Sequence, residues 1–278
     1  MAAVGAVRFG PSGLPPAETP EAAIGLLAAG GYAACEVGFV GGFRMSYEDA
    51  ATLGEAARDA GVVLSVHAPL AAFLGQPDEK KRRQAVGMLD HTAGLATACG
   101  AEVVVFHPGF LLGRTREETI ESVVSQLGEL RERLEAKSRA VDFGVEVMGR
   151  VRDFGTADDC VAIAAALPWV RPVLDFAHLH AVSDGAYTDA EPFAAALAAA
   201  DGVTRPGAAF HVHFSDIAYA NSNETRHLPY GEGTLRAEPL AEALARFERP
   251  ATVISESPDE VSTRAIGRAL ASARGGVR

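Results

Sequence analysis

The stretches VVLSVHAP at 62–69 and EVVVFHPG at 102–109 are short β-branched runs, and each carries a histidine near its end, His67 or His107. Working outward, the chain holds six further runs of this kind, at 7–12, 34–40, 142–149, 171–178, 210–216 and 251–258. Longer Ala- and Leu-rich segments with helical spacing lie between them, among them 47–60, 78–99, 116–137 and 236–247. Strands that alternate with helices predict a parallel sheet. Eight such units in 278 residues predict an α/β protein with one (β/α)8 TIM barrel, a single domain over residues 1–278.

An open, doubly wound sheet is the alternative arrangement of the same units. It would favour a glycine-rich phosphate loop of the GxGxxG type directly after the first strand. The segment FGPSG at 9–13 matches that pattern poorly. The barrel is therefore the preferred prediction.

Composition and charge limit the possible classes of function. The net charge of -11 argues against a generally basic surface that coats nucleic acid, although bound cations could add positive charge locally. The three cysteines have no CxxC spacing, which favours a reducing compartment over a disulfide framework. The N-terminal residues lack a signal-peptide pattern, and no apolar run approaches the roughly 20 residues that cross a bilayer. We expect a cytoplasmic protein with no membrane partner.

Side chains that can bind metal occur at the ends of six consecutive predicted strands: His67, His107, Glu146, Asp175, His213 and Glu256. The C-terminal ends of barrel strands share one mouth, so these groups should converge. Burying three carboxylates there would cost several kcal/mol each unless cations compensate. His178, on the loop just above the sixth strand, and His227, in the long loop after the seventh, are predicted to bind a further metal.

Imidazole and carboxylate ligands without thiolate favour Zn2+, with Mn2+ or Fe2+ as alternatives. Glu146 is central in the strand order and can bridge two metals, which would place an activated water there and makes it the candidate catalytic residue. The pattern predicts an enzyme with two or three metal ions per chain. His211 is expected to support the ligands from deeper in the barrel, and Asp216 to orient a ligand imidazole.

In these motifs the chain resembles the endonuclease IV family, also called AP endonuclease family 2, whose members have a xylose isomerase-like TIM barrel. The resemblance rests on SVHAP, VVFHPG, LDFAH, HFSD, RHLPYGEG and SESP, between residues 62 and 258. It implies three zinc ions, held by His67, His107 and Glu146, by Glu146, Asp175, His213 and Glu256, and by His178 and His227. It also implies hydrolysis of the phosphodiester 5′ to an abasic site, with abasic DNA as the partner.

One position departs from the family pattern, which has an aspartate ligand of the third metal two residues before the loop histidine. This chain has Thr225 there, so the third site should be weak, empty, or completed by Glu224 or water. Arginines that follow strands are predicted to contact phosphates: Arg44, Arg114, Arg226 and also Arg150.

Two other classes of function stay open. A sugar isomerase or epimerase on a related barrel would use Glu146, Asp175, His213 and Glu256 around one metal, with a small sugar as substrate. A metal-binding protein that has lost catalysis is the third class. The fold alone decides among none of these.

Overall fold

Eight parallel strands form a barrel in the computed structural model, which describes residues 5–39, 41–139 and 141–275. The strands of the barrel are β1 (Val7–Pro11), β2 (Ala34–Gly38), β3 (Val63–His67), β4 (Val103–Phe106), β5 (Asp142–Glu146), β6 (Val170–Asp175), β7 (Phe210–Phe214) and β10 (Ala251–Ser255). A separate antiparallel pair follows β7, namely β8 (Asp216–Ala220) and β9 (Asn223–Leu228). All eight predicted strands are confirmed, and so is the α/β TIM barrel.

Closure of the barrel depends on the contact between β1 and β2. Neighbouring strands pair in the order β1-β10-β7-β6-β5-β4-β3-β2. A parallel bridge between Ser12, just after β1, and Glu36 of β2 joins the two ends of this order. The backbones approach closely here, since a Cβ on Gly10 would lie 1.6 Å from the carbonyl oxygen of Ala34. Only a residue without a side chain fits at position 10.

Nine helices surround the barrel within the described ranges: α1 (Pro20–Ala29), α2 (Tyr47–Ala60), α3 (Glu79–Cys99), α4 (Arg116–Glu135), α5 (Ala157–Ala166), α6 (Phe176–Val182), α7 (Ala190–Asp201), α8 (Ala237–Leu244) and α9 (Glu260–Gly275). Their starts follow local chemistry. Thr115 accepts a hydrogen bond from the N–H of Glu118, whose side chain accepts the N–H of Thr115 in return. None of the described helices is long and apolar enough to span a membrane.

Apolar packing occurs in two places. A large cluster holds the helices against the outer face of the strands, and a small cluster of Val103, Val105 and Val173 is separate from it. Val173 is two residues before Asp175, and His211 is two residues before His213. Alternate residues of a strand share a face. Asp175 therefore points to the same side of β6 as Val173, and His213 points to the same side of β7 as His211.

The segment between β7 and α8 differs from the predicted long loop, because it contains the β8–β9 hairpin. Its two turn residues, Asn221 and Ser222, have φ values of 51° and 57°. Glycine usually occupies such positions, so the sequence lacks the common hairpin signal. Asp184 stabilises the turn by accepting hydrogen bonds from the N–H and hydroxyl of Ser222, at 3.0 and 2.7 Å.

Candidate metal centre

The predicted ligands converge at the mouth of the barrel in three groups, each with candidate ligand atoms within 4.8 Å of one another. The groups are His67, His107 and Glu146; Glu146, Asp175, His213 and Glu256; and His178, Glu224 and His227. We call them the first, central and third groups. They match the sets implied by the resemblance, with Glu224 added, while metal binding by these residues stays a prediction.

Glu146 joins the first group to the central one. Its Oε2 lies 3.0 Å from the Nε2 of His67 and 3.0 Å from the Nε2 of His107, and its Oε1 lies 3.1 Å from the Nδ1 of His213. Burial alone would raise the pKa of Glu146, but the charges of His107 and His213 outweigh it and hold that pKa well below the ordinary value. The carboxylate is therefore ionised and has an oxygen toward each of two groups.

His67 has a fixed orientation at the end of β3. Its Nδ1 lies 2.8 Å from the carbonyl oxygen of Ala68, which can only accept, so Nδ1 carries a proton and Nε2 faces Glu146. Burial would lower the pKa of His67, but the hydrogen bond and charge of Glu146 raise it to about 9. A cation at Nε2 would replace the proton that this nitrogen holds in the metal-free protein.

The central group contains an unsatisfied buried oxygen. Asp175 ends β6 and caps α6, where its Oδ1 accepts the N–H of His178 at 2.8 Å. Its Oδ2 has no hydrogen-bond partner among the described residues, since the nearby Nδ1 of His178 donates to the carbonyl oxygen of Val147 at 2.8 Å. A buried carboxylate oxygen without a donor is costly, so the donor set fits a divalent cation.

Glu256 is the second glutamate of the central group. Its Oε1 lies 3.7 Å from the Nδ1 of His213, and its Oε2 lies 3.9 Å from the Nε2 of His227. Burial raises the pKa of Glu256, and this effect exceeds the opposing effect of the charge of His213; the negative charges of Asp175 and Glu146 raise the pKa further. The pKa of Glu146 is thus lowered, and the pKa of Glu256 is raised, relative to an ordinary glutamate.

The third group is completed by Glu224. Its Oε2 lies 2.9 Å from the Nε2 of His178, and the hydrogen bond from this histidine lowers the pKa of Glu224. A Cβ on Gly149 would lie 2.7 Å from the same oxygen, so this glycine leaves the space that Glu224 occupies. His178 itself is in the first turn of α6, rather than on the predicted loop.

A bulge in β9 explains why Glu224, rather than Thr225, joins His227. Ala218 pairs with Arg226 and Tyr219 pairs with Glu224, so Thr225 is an extra residue in the ladder. In a regular strand residues 225 and 227 would share a face, but one extra residue reverses the alternation. Thr225 is exposed and its hydroxyl donates to the carbonyl oxygen of Ala218 at 2.9 Å.

Two polar residues behave differently from the sequence-based expectations. Among the described residues, Asp216 has no hydrogen bond to an imidazole, so the expected orienting role is not observed. Its carboxylate instead accepts hydrogen bonds from the backbone N–H groups of Gly231, Gly233 and Leu235, which fixes the loop before α8. Glu36 was not anticipated, yet it is completely buried in β2 and lies 3.0 Å from the Nε2 of His211. A single charge inside the apolar run ACEVG was the available signal.

The predicted phosphate-binding arginines are in unequal environments. Arg44, in the loop after β2, and Arg226, on β9, are exposed. The guanidinium of Arg114 donates to the carbonyl oxygens of Gly75 and Leu111, so it is already engaged with the backbone. Arg150 lies 3.4 Å from Glu224 and pairs with it.

A cavity of about 530 Å³ lies beside the ligand groups, with His107 and Glu224 in its wall. Apolar side chains form much of the remaining wall: Leu70, Phe73, Phe110 and Met148. Arg150, Arg152 and Asp153 add charges. The volume is in the range typical of small-molecule sites, about 300–1,000 Å³.

Comparison with known proteins identifies the family. The model of the xylose isomerase-like TIM barrel family matches residues 24–274, and the chain belongs to this family. An uncharacterized protein of Methanocaldococcus jannaschii is 32% identical over 253 residues, which cover 90% of this chain and 91% of the relative.

Two solved structures illustrate the range of similar folds. A D-tagatose 3-epimerase-like protein has a TM-score of 0.76 at 21% identity, covering 96% of this chain and 97% of its own. Endonuclease IV from Thermus thermophilus has a TM-score of 0.71 at 18% identity, covering 96% of this chain and 99% of its own. At these identities the likeness establishes the fold and leaves the reaction to be argued from the site.

Proposed function

We propose that the protein is a divalent-metal-dependent isomerase or epimerase that acts on a sugar or a similar small hydroxy-carbonyl compound. The observation that carries the proposal is the central group, in which two glutamates with opposite pKa shifts stand beside Asp175 and His213. Acid and base roles are commonly assigned to neighbouring groups whose environments move their pKa values apart. The epimerase-like structure with a TM-score of 0.76 is in keeping with this chemistry.

The two glutamates supply the proton transfers. Glu146, held ionised by its histidines, takes a proton from the carbon next to the substrate carbonyl. Glu256, whose pKa is raised by burial, returns a proton to the neighbouring position or to the opposite face of the same carbon. The substrate gains one proton for the one it loses, so no oxidant is needed. Exchange with water removes the proton from Glu146 and returns one to Glu256 before the next turnover. A divalent cation held by the central group would polarise the carbonyl oxygen and stabilise the negative charge that develops there.

The cavity and the charge around it also favour a small substrate. Its apolar and aromatic wall can cover one face of a sugar ring or chain, while His107 and Glu224 offer polar contacts. A DNA duplex would instead require several free cations near the mouth. Arg114 is engaged with the backbone and Arg150 with Glu224, and the net charge is -11.

Phosphodiester hydrolysis at abasic DNA, as in endonuclease IV, is the second candidate function. It is favoured by the first and third groups, because a reaction with one metal needs neither His67 and His107 nor His178 and His227. Two or three Zn2+ ions about 3.5–4 Å apart would suit a displacement at phosphorus. Mn2+ or Fe2+ would also suit these ligands.

The test compares both reactions on the same preparation. Protein reconstituted with Zn2+ or Mn2+ is incubated in D2O with a panel of ketoses and aldoses, free and phosphorylated, and separately with a duplex that contains an abasic site. We expect deuterium at the carbon beside the carbonyl of a sugar. Cleavage of the duplex without deuterium incorporation into any sugar would overturn the proposal in favour of hydrolysis.

Variants separate the two functions further. Glu256→Gln should abolish formation of the isomerised or epimerised product, whereas Glu232→Gln, at an exposed glutamate of the loop before α8, is the matched control and should retain it. Arg44→Ala and Arg226→Ala remove exposed cations that only a polyanionic substrate would need. We expect unchanged sugar turnover in both arginine variants. Activity that falls in these variants, and that falls in the wild-type protein as salt is added, would favour DNA as the substrate.

A further inference from the structure

Glu36 places a negative charge in the interior of the barrel, below the metal centre. The side chain is fully buried, and its Oε2 accepts the hydroxyl of Ser65 at 2.8 Å and faces the Nε2 of His211 at 3.0 Å. Burial would raise the pKa of Glu36, but the charge of His213 and the hydrogen bond from His211 hold it well below the ordinary value. An ionised carboxylate at this depth is tolerated only with such partners.

His213 connects this buried carboxylate to the central group through its two ring nitrogens. Its Nε2 lies 3.0 Å from the Oε1 of Glu36, and its Nδ1 lies 3.1 Å from the Oε1 of Glu146. A neutral imidazole has one N–H and one lone pair, and the partner of one nitrogen decides which is available at the other. Once His213 loses its Nδ1 proton, a proton kept on Nε2 leaves the Nδ1 lone pair directed at the central group.

We propose that Glu36 is a positioning residue for the candidate metal centre, which holds the proton of His213 on Nε2 and so presents Nδ1 as the metal ligand. The inference rests on the metal site of the proposed function and is independent of the choice of reaction. Metal-bound histidines commonly donate their other N–H to a carboxylate or carbonyl, and loss of that partner weakens metal binding about 10- to 100-fold.

The observed contact leaves room for a small adjustment. Neither the Oε1 of Glu36 nor the Nε2 of His213 has a partner with good hydrogen-bond geometry among the described residues, despite their 3.0 Å separation. We expect the ring of His213 to turn slightly when Nδ1 binds a cation, which would align Nε2–H with Glu36. His211, whose pKa is lowered mainly by burial, remains a neutral donor to the same carboxylate.

Nitrogen NMR of the Zn2+-loaded protein with 15N-labelled histidine tests the tautomer directly, and a His213→Asn sample assigns the signals. We expect His213 with a protonated Nε2 and a metal-bound Nδ1. A metal-bound Nε2 on His213, or a metal-bound His211, would overturn the inference, because Glu36, His211 and His213 would then hold a cation themselves. This measurement needs no change at Glu36, so it stands even if a variant there fails to fold.

Competition with a chelator gives the second readout on the metal-binding protein. Glu36→Gln keeps the shape of the side chain and should bind Zn2+ about 10- to 100-fold more weakly. Ser65→Ala is the matched control, because it removes a donor to the same carboxylate without touching His213, and its affinity should stay unchanged. Equal affinity in wild type and Glu36→Gln would refute only this inference. Failure of the wild-type protein to bind Zn2+ would refute the proposed metal site and this inference together.

Discussion

Glu224→Gln is the substitution that most sharply tests how the third group is built. It removes the charge that faces the Nε2 of His178 at 2.9 Å. Glu224 is also the carboxylate of the third group, and loss of a charged side chain that holds a metal or its ligands weakens metal binding about 10- to 100-fold. The metal affinity of the third group should therefore fall about 10- to 100-fold, toward the lower end because the Glu224 side chain is 22% exposed.

Thr225→Asp is the complementary change, since it restores the carboxylate of the endonuclease IV pattern. The bulge directs position 225 away from His227, so the new carboxylate should leave the metal content unchanged. The double variant Glu224→Gln/Thr225→Asp should be as weak as Glu224→Gln alone. Equilibrium dialysis of chelator-treated protein at a fixed free metal concentration, followed by elemental analysis, measures the bound metal. Recovery of binding in the double variant would refute the bulge argument.

Three further outcomes are expected. Glu146→Gln should abolish catalysis and reduce metal content while circular dichroism stays unchanged, because this residue is shared by two ligand groups; retention of full activity would exclude its role. In metal-free protein, His67 has a pKa of about 9 in the folded state, against 6.5 for an unperturbed histidine. Its protonation therefore contributes fully to folding stability below about pH 6.5, and this contribution is lost as the pH rises toward 9. Denaturant titrations should show this loss, at most about 3 kcal/mol, and His67→Gln should remove it. Gly10→Ala should prevent folding or lower the melting temperature strongly, since its Cβ would meet the oxygen of Ala34 at 1.6 Å, whereas Gly25→Ala, in open space on α1, should be harmless.

The alternation of strand-like and helical segments along the chain was sufficient to predict the barrel and the convergence of the candidate ligands at its mouth. Both depend on strand order and on residues at strand ends, which are local features of the sequence. His67, His107 and Glu146 illustrate this, since each is at or just after the end of its strand and the three meet at the mouth.

The contents of the third group could not be derived in the same way. The face on which Glu224 lies depends on a bulge opposite Ala218 and Tyr219, and a one-residue shift in a ladder has no distinct signature in sequence. The hairpin was also missed, because its turn uses Asn221 and Ser222 without glycine and depends on hydrogen bonds to the distant Asp184.

The role of Glu36 depends on distance across the barrel rather than along the chain. Its partners Ser65 and His211 are 29 and 175 positions away. A buried charge in a strand can be paired with many residues, and only the closed barrel specifies which ones.

Anomalous diffraction from crystals soaked in Mn2+ is the most direct measurement of the central claim that the mouth of this barrel is a metal centre. We predict a strong peak within bonding distance of Glu146, Asp175, His213 and Glu256. A map in which these four side chains hold only hydrogen bonds and water, at saturating Mn2+, would contradict the account.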